Sequence, residues 1–323
     1  MKFSTPVHIP PFPFTIQHQE TLMLCGSCFS ANIGQKLKQA KLNTCVNPFG
    51  IIYNPISLAN SFKHIIENHH YTVKELYHHQ DKWISWNHHG SFSSTQATTA
   101  LETINHHITQ SNQKLKKLKT IILTLGSAWV YEWKETGQIV ANCHKLPSSS
   151  FTKRLLKTEE VVKAISEIMT CLPQVNFVLT VSPVRHIKDG LYENNLSKSV
   201  LHSAVNDIIN QHKNGFYFPA YELVIDELRD YRFYKEDMVH PNQQAIDYVW
   251  EKFSSTFFNQ NTTELIQKIE KVQNAAQHQP FNFDSDQHQT FIKKQLSIMD
   301  EIEQQNPSLH FKNERDLLMQ MKK

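Results

Sequence analysis

Glycine is scarce, with eight in 323 residues, and cysteine scarcer, with five. So few glycines leave no Gly/Ser linker that would cut the first 258 residues in two, and no repeat at a fixed period is visible. The cysteines are odd in number and scattered at 25, 28, 45, 143 and 171, which is no disulfide framework, so free thiols are expected. Uninterrupted apolar runs reach only about five residues, far short of the roughly 20 that a spanning helix needs. Neither charge dominates: 33 Lys and Arg face 30 Asp and Glu, and only Lys114 to Lys119 is locally basic, as a solvated helix end would be. That balance leaves no electrostatic footprint for nucleic acid. The opening Met1-Lys2-Phe3-Ser4-Thr5-Pro6 has no apolar segment after its lysine, and three prolines crowd positions 10 to 13. A secretory signal is therefore not expected, and the expected compartment is the cytoplasm.

Histidine is abundant, at 19 residues, with doublets at 69/70, 78/79, 88/89 and 106/107. Adjacent residues do not share a helix face, whereas metal-ligand pairs on a helix want spacings of three or four. Cys25-x-x-Cys28 lacks a second such pair to complete a zinc site. The sequence thus implies no metal and no cofactor.

Short apolar runs alternate with helical periodicity. Strand-like Thr21–Cys25 precedes helix-like Ala31–Gln39; helix-like Ile56–Glu67 and Thr98–Leu115 lead to strand-like Thr120–Leu125. Helix-like Glu159–Cys171 leads to strand-like Asn176–Ser182, and helix-like Ser197–Gln211 to strand-like Gly215–Pro219. This alternation predicts an α/β fold with a doubly wound, flavodoxin-like parallel sheet. Sites in such folds lie at the carboxyl ends of the strands, so Gly26-Ser27-Cys28, Gly126-Ser127-Ala128 and Ser182-Pro183-Val184-Arg185-His186 are expected to converge on one crevice. After about Asn259 the chain turns rich in Gln and Asn, with helical spacing over Thr263–Ala276 and Thr290–Gln304 joined by a linker, Gln279–Asp286. The expected division is a domain over 1–257 and a helical extension over 258–323 that either covers the domain or pairs two subunits as a homodimer.

Asp237-Met238-Val239-His240-Pro241-Asn242 is the sharpest local signal. A carboxylate three residues before a histidine, at a loop-to-helix junction, can hold the imidazole in one tautomer while its other nitrogen takes a proton. A plain helix entry, with Asp237 in a turn and Pro241 starting the helix, uses the same residues. The turn at 26 to 28 offers a thiol and a hydroxyl beside a helix N-terminus, where an anion is favoured and a cysteine pKa is expected to fall. Trp129, Tyr131 and Trp133 alternate along a probable strand and suit either core packing or the wall of an acyl or glycosyl pocket.

Gly26-Ser27-Cys28-Phe29-Ser30 closely resembles the signature of the GSCFA-domain family, which is grouped with the SGNH/GDSL hydrolases. Asn47-Pro48-Phe49-Gly50-Ile51-Ile52-Tyr53-Asn54-Pro55, Leu125 to Trp129, Ser182 to His186, and Tyr217 to His240 look like the same family, so the resemblance runs over roughly residues 2 to 257. It implies an SGNH-type fold with Cys28 at the nucleophile position, Ser27 as the alternative nucleophile, and Asp237 and His240 as the last block. It implies Gly50 as an oxyanion donor, while the third block at Gly126-Ser127-Ala128-Trp129 lacks the clan's asparagine. Asn54, Ser127 or Arg185 could replace that donor, and Arg185 with His186 suits a substrate carboxylate or phosphate. The implied activity is ester hydrolysis or acyl transfer through an acyl-enzyme, a thioester if Cys28 attacks, on a small-molecule or glycan ester, with neither nucleic acid nor membrane as partner. The rival readings are a catalytically silent binding protein of the same fold and a metal-dependent phosphoesterase built on the histidine doublets.

Overall fold

The computed structural model describes residues 4–278 and 285–321. β1 (Thr21–Gly26) is buried along its whole length and passes almost directly into α1 (Cys28–Gln39). β2 (Asn43–Val46) and α2 (Pro55–Ile66) follow, then the small antiparallel hairpin of β3 (Tyr77–His79) and β4 (Lys82–Ile84), and α3 (Ala97–Leu115). β5 (Leu118–Leu125) leads to a second antiparallel hairpin, β6 (Trp129–Trp133) with β7 (Phe151–Leu155), and then to α4 (Thr158–Cys171). β8 (Asn176–Val181), α5 (Leu191–Gln211) and β9 (Gly215–Tyr217) come next. A single turn, α6 (Ala220–Glu222), widens into a π-helical stretch, Leu223–Leu228, ahead of α7 (Gln243–Phe257).

The five long-range strands pair in the order β2-β1-β5-β8-β9, all parallel. Side chains alternate between two cores. Leu22, Leu24, Ile122 and Val178 face α1 and α7, where Phe253 and Phe257 are fully buried. Met23, Cys25, Ile121, Leu123, Phe177 and Leu179 face the other way, into a core shared with α2, α3, α4 and α5. A sheet covered on both faces needs apolar residues at every strand position, which is why β1, β5 and β8 read as continuous apolar runs. Each large core side chain contributes about 2–3 kcal/mol on burial. The fold is the expected doubly wound α/β sheet, and its strand order reverses between β1 and β5, the place where such sheets open a crevice at their carboxyl edge.

The chain then forms α8 (Gln260–Gln277), α9 (Asp286–Gln305) and α10 (Lys312–Gln320), which bury Ile269, Val272, Ile292, Met299, Phe311 and Leu318 among themselves. They pack on the far end of α1: Lys41 Nζ reaches Glu314 Oε1 at 2.9 Å and the His310 carbonyl at 3.0 Å, and Gln273 donates to the Gln39 carbonyl at 2.8 Å. The linker expected over Gln279–Asp286 lies outside the described residues except for Ser285 and Asp286, where α9 begins. Among the described residues no helix is long and apolar enough to cross a membrane.

Candidate active site

The site begins with a turn that only glycine makes. Gly26 has φ +128°, and a Cβ there would lie 2.1 Å from the Thr124 carbonyl oxygen. This close approach lets β1 end against β5 and turn at once into α1. Ser27 is fully buried, donates its amide to that same carbonyl at 3.2 Å, and leaves its Oγ without a partner. Cys28, the first residue of α1, is half-buried beside Phe29, Ile33, Val184, Val224 and Pro241 in a narrow apolar pocket. Burial in that pocket holds the thiol above its ordinary range, the reverse of what a helix N-terminus alone would do; the Tyr53 hydroxyl, the Cys28 amide and the charges of Lys235 and Lys198 all oppose the rise.

A second turn braces the first. Asn47 Oδ1 accepts the Gly26 amide at 2.9 Å, and the Asn47 carbonyl accepts the Gly50 amide at 2.7 Å. Gly50, with φ +80°, lies against His89, where a Cβ would sit 2.2 Å from the histidine's own. The Gly50 amide is therefore engaged within its turn. Asn54 caps α2: its Oδ1 accepts from the Ser57 amide at 2.8 Å and its Nδ2 donates to Ser57 Oγ at 3.0 Å. The Tyr53 carbonyl takes the Gly126 and Ser127 amides at 2.9 and 3.0 Å. Ser127 Oγ accepts the Trp129 amide at 3.0 Å and meets Ser197 Oγ at 3.3 Å. Three of the expected oxyanion donors, Gly50, Asn54 and Ser127, are thus structural partners in these turns.

Asp237 and His240 meet. His240 Nδ1 lies 2.7 Å from Asp237 Oδ2, while Asp237 Oδ1 accepts the amides of Val239 and His240, each at 2.9 Å. Those three donors hold the Asp237 carboxyl well below the ordinary carboxylate range. Arg185 reaches over to the same loop. Its Nη2 donates to the Met238 carbonyl, and its guanidinium carbon lies 5.3 Å from the Tyr231 ring centre and 4.9 Å from that of Tyr234. The His186 amide donates to Asn194 Oδ1 at 2.9 Å. Burial and the charge of Lys198 push the His186 imidazole down to about 4, so the ring is neutral. Arg185 Nε and His186 Nε2 are buried without partners.

Tyr53, Asn54, Ser127, Trp129, Tyr131, Arg185, His186 and His240 line one cleft of about 710 Å³ at the carboxyl edge of the sheet. The ends of β5 and β8 therefore converge there with the loop before α7. Cys28 lies in the adjoining apolar pocket, with Val184 on the wall of both. Among the described residues no hydrogen bond joins Cys28 Sγ to His240, and Asp237 stands behind His240 rather than on the cleft wall. Trp133 turns away into an aromatic cluster with Tyr77, Trp86 and Phe151. The histidine doublets scatter: His88 is buried and stacked on Phe49 at 4.3 Å, and His69 pairs with Glu75 at 2.6 Å. Among the described residues no three His, Cys, Asp or Glu side chains gather as a metal site would require.

Two residues at the site were not singled out from the sequence. Tyr53 touches the thiol but stood only inside a longer motif. Lys198 on α5 is fully buried, and its phase with Leu201, Val205 and Ile208 on the helix's buried face was the available signal.

Comparison with known proteins adds three findings. No curated protein matches the chain. A solved structure titled Clostridium thermocellum family 3 carbohydrate esterase covers 77% of this chain and 98% of its own, at 12% identity and a TM-score of 0.35. Residues 269–322 match the family described as GSCFA domain protein, C-terminal domain, and residues 21–253, most of the sheet domain, match the GSCFA family itself. The chain belongs to the GSCFA family.

Proposed function

We propose that the chain is an ester hydrolase or acyltransferase of the SGNH type, acting on a carboxylic ester through a covalent acyl-enzyme. The observation that carries the reading is the Asp237–His240 pair, 2.7 Å apart, with His240 on the wall of the cleft at the strand ends. A carboxylate on Nδ1 fixes the tautomer that leaves Nε2 free to accept a proton. In the proposed reaction Cys28 Sγ attacks the ester carbonyl, and its proton passes to His240. The C–O bond breaks, His240 returns the proton to the departing alcohol, and a thioester remains on the enzyme. Water completes hydrolysis, or a second alcohol completes transfer, by attacking that thioester with His240 again as base. The Cys28 amide, at the first position of α1, binds the oxyanion. Trp129 and Tyr131 along the cleft suit a glycosyl or other small-molecule alcohol portion.

Turnover of p-nitrophenyl acetate by wild type, Cys28→Ala and His240→Ala tests the reading. Loss in both variants is expected. If both fold and retain wild-type turnover of an ester, the assignment is wrong; if Cys28→Ala alone retains it, Ser27 is the nucleophile.

A second reading, a binding protein of the same fold without turnover, draws support from the Gly50, Gly126 and Ser127 amides, all engaged within turns, and from the raised Cys28 thiol. A catalytic Cys28 is expected to react with iodoacetamide faster than the other four cysteines; an inert one favours the binding protein.

A further inference from the structure

Two spaces meet at the strand ends, and they differ in size and in chemistry. The cleft that carries His240 measures about 710 Å³ and has Asn142, Lys188 and Asp189 on its walls. The pocket that carries Cys28 measures about 30 Å³. Its inner wall is core: Ile33, Val224 and Val249 are 1%, 1% and 4% exposed and belong to the same apolar cluster as Phe218 and Phe253. The small side chains of Ala220 and Ala245 leave the space open. Among the described residues Asn32 is the one polar side chain on this wall besides the thiol; like Cys28 and Ile246 it is half-buried, so the pocket opens beside these three.

The boundary between the two spaces runs through consecutive residues. Pro183 walls the pocket, Val184 both and Arg185 the cleft; on the loop before α7, His240 walls the cleft and Pro241 the pocket. An ester cleaved by Cys28 and His240 straddles that boundary. Its acyl carbon becomes bonded to the sulfur, on the pocket side, while the departing alcohol oxygen takes its proton from His240, on the cleft side. Polarity agrees with this division. A hydrocarbon tail gains by entering the apolar pocket, whereas alcohol hydroxyls would lose their hydrogen bonds there.

We infer that the pocket beside Cys28 is the acyl site and admits an acyl group of only about two or three carbons, so that the substrate is a short-chain carboxylic ester with its bulk in the alcohol portion. The inference rests on the proposed role of Cys28 as nucleophile. Size sets the limit: a cavity needs roughly 10–15 Å³ to hold one water-sized group, so this pocket takes about two. Its walls do not yield, because side chains packed at interior density have nowhere to go. Ala245 and Val249, one turn apart on α7, are then specificity-determining residues.

The test is kcat/KM for p-nitrophenyl acetate, butyrate and hexanoate in wild type, Val249→Ala and Ala245→Val. In wild type acetate is expected to lead butyrate by about a hundredfold, at roughly tenfold or more per methylene. Val249→Ala removes both methyl groups from the wall and is expected to raise the butyrate-to-acetate ratio about tenfold; Ala245→Val narrows the pocket and is expected to lower acetate turnover about tenfold. A general loosening of the fold would lower all three esters alike and leave the ratio unmoved, which counts against the inference. Val249→Ala decides the matter should Ala245→Val fail to fold. Equal turnover of acetate and hexanoate by wild type, lost in Cys28→Ala, overturns the inference and leaves the proposed function standing. If wild type cleaves none of the esters, the proposed function falls, and the pocket is read instead by capping Cys28 with methyl or butyl methanethiosulfonate, followed by peptide mass spectrometry with exposed Cys171 as internal reference. Methyl capping faster than butyl at Cys28 by about tenfold, with the gap closing in Val249→Ala, upholds the size limit; equal capping overturns it.

Discussion

Asp237 holds His240 with both of its carboxylate oxygens, one on the imidazole Nδ1 at 2.7 Å and the other on the histidine's own amide at 2.9 Å. The pair is assembled within a single loop, independent of the sheet, and delivered to the cleft by the start of α7.

Asp237→Asn tests what that grip does. An asparagine can still accept the two amides through its Oδ1, but its NH₂ cannot accept the Nδ1 proton, so the imidazole is released to the wrong tautomer. Ester turnover is expected to fall about a hundred- to ten-thousandfold through kcat. The side chain is half exposed, so the urea unfolding midpoint should barely change. Full turnover in this variant would show that His240 works without Asp237.

How much of this was legible beforehand depended on whether the signal was local. β1, β5 and β8 announce themselves because burial on both faces makes every position apolar, and Asp237 with His240 because the pair lies three residues apart. β2 escapes: Asn43-Thr44-Cys45-Val46 is four residues long and half exposed at the sheet edge, with no apolar pattern to read. α10 escapes for its charge, with two leucines in nine residues, and α5 begins at Leu191 rather than Ser197 because Asn194, Ser197 and Lys198 put polar groups on its buried face. Those same residues bond to the His186 amide, the Ala128 amide and the strand-end carbonyls, partners that only the folded sheet supplies. Likewise Gly50 looks like a free amide in sequence, whereas its turn consumes the N–H.

Gly26→Ala is expected to be severe. The added Cβ would collide with backbone, not with a side chain that can swing away, in a conformation that L residues rarely adopt. A loss of about 2 kcal/mol or more is expected by urea denaturation. A loss below about 0.5 kcal/mol would mean that the β1–α1 turn is not held as described.

Arg185→Lys separates two uses of the guanidinium. Its contacts with the Met238 carbonyl and the rings of Tyr231 and Tyr234 tie the end of β8 to the loop that carries His240. Lysine keeps the charge but loses the planar stacking and the fork of donors. Faster hydrogen exchange at the Val239 and His240 amides is expected, with about a tenfold fall in kcat and little change in KM, as for a displaced catalytic group. Unchanged exchange with a raised KM would instead assign Arg185 to the substrate.

Acid should loosen the fold through its buried imidazoles. His88 stacks on Phe49, in the turn whose Asn47 holds the Gly26 amide, and burial pushes its pKa well below the ordinary 6.5. Burial also lowers His18, His64, His107 and His144. Because each of these is a weaker base in the folded chain than in the unfolded one, the unfolded state takes up protons first as pH falls. The stability they contribute is complete above about pH 6.5 and drains away below it, by up to about 1.4 kcal/mol per pH unit for each histidine that stays neutral in the fold. Urea midpoints measured from pH 7.5 down to pH 5.5 should fall steeply below pH 6.5. A flat profile over that interval would mean that these histidines are protonated within the folded protein, which the His88–Phe49 stack and the unpartnered His88 Nε2 leave no room for.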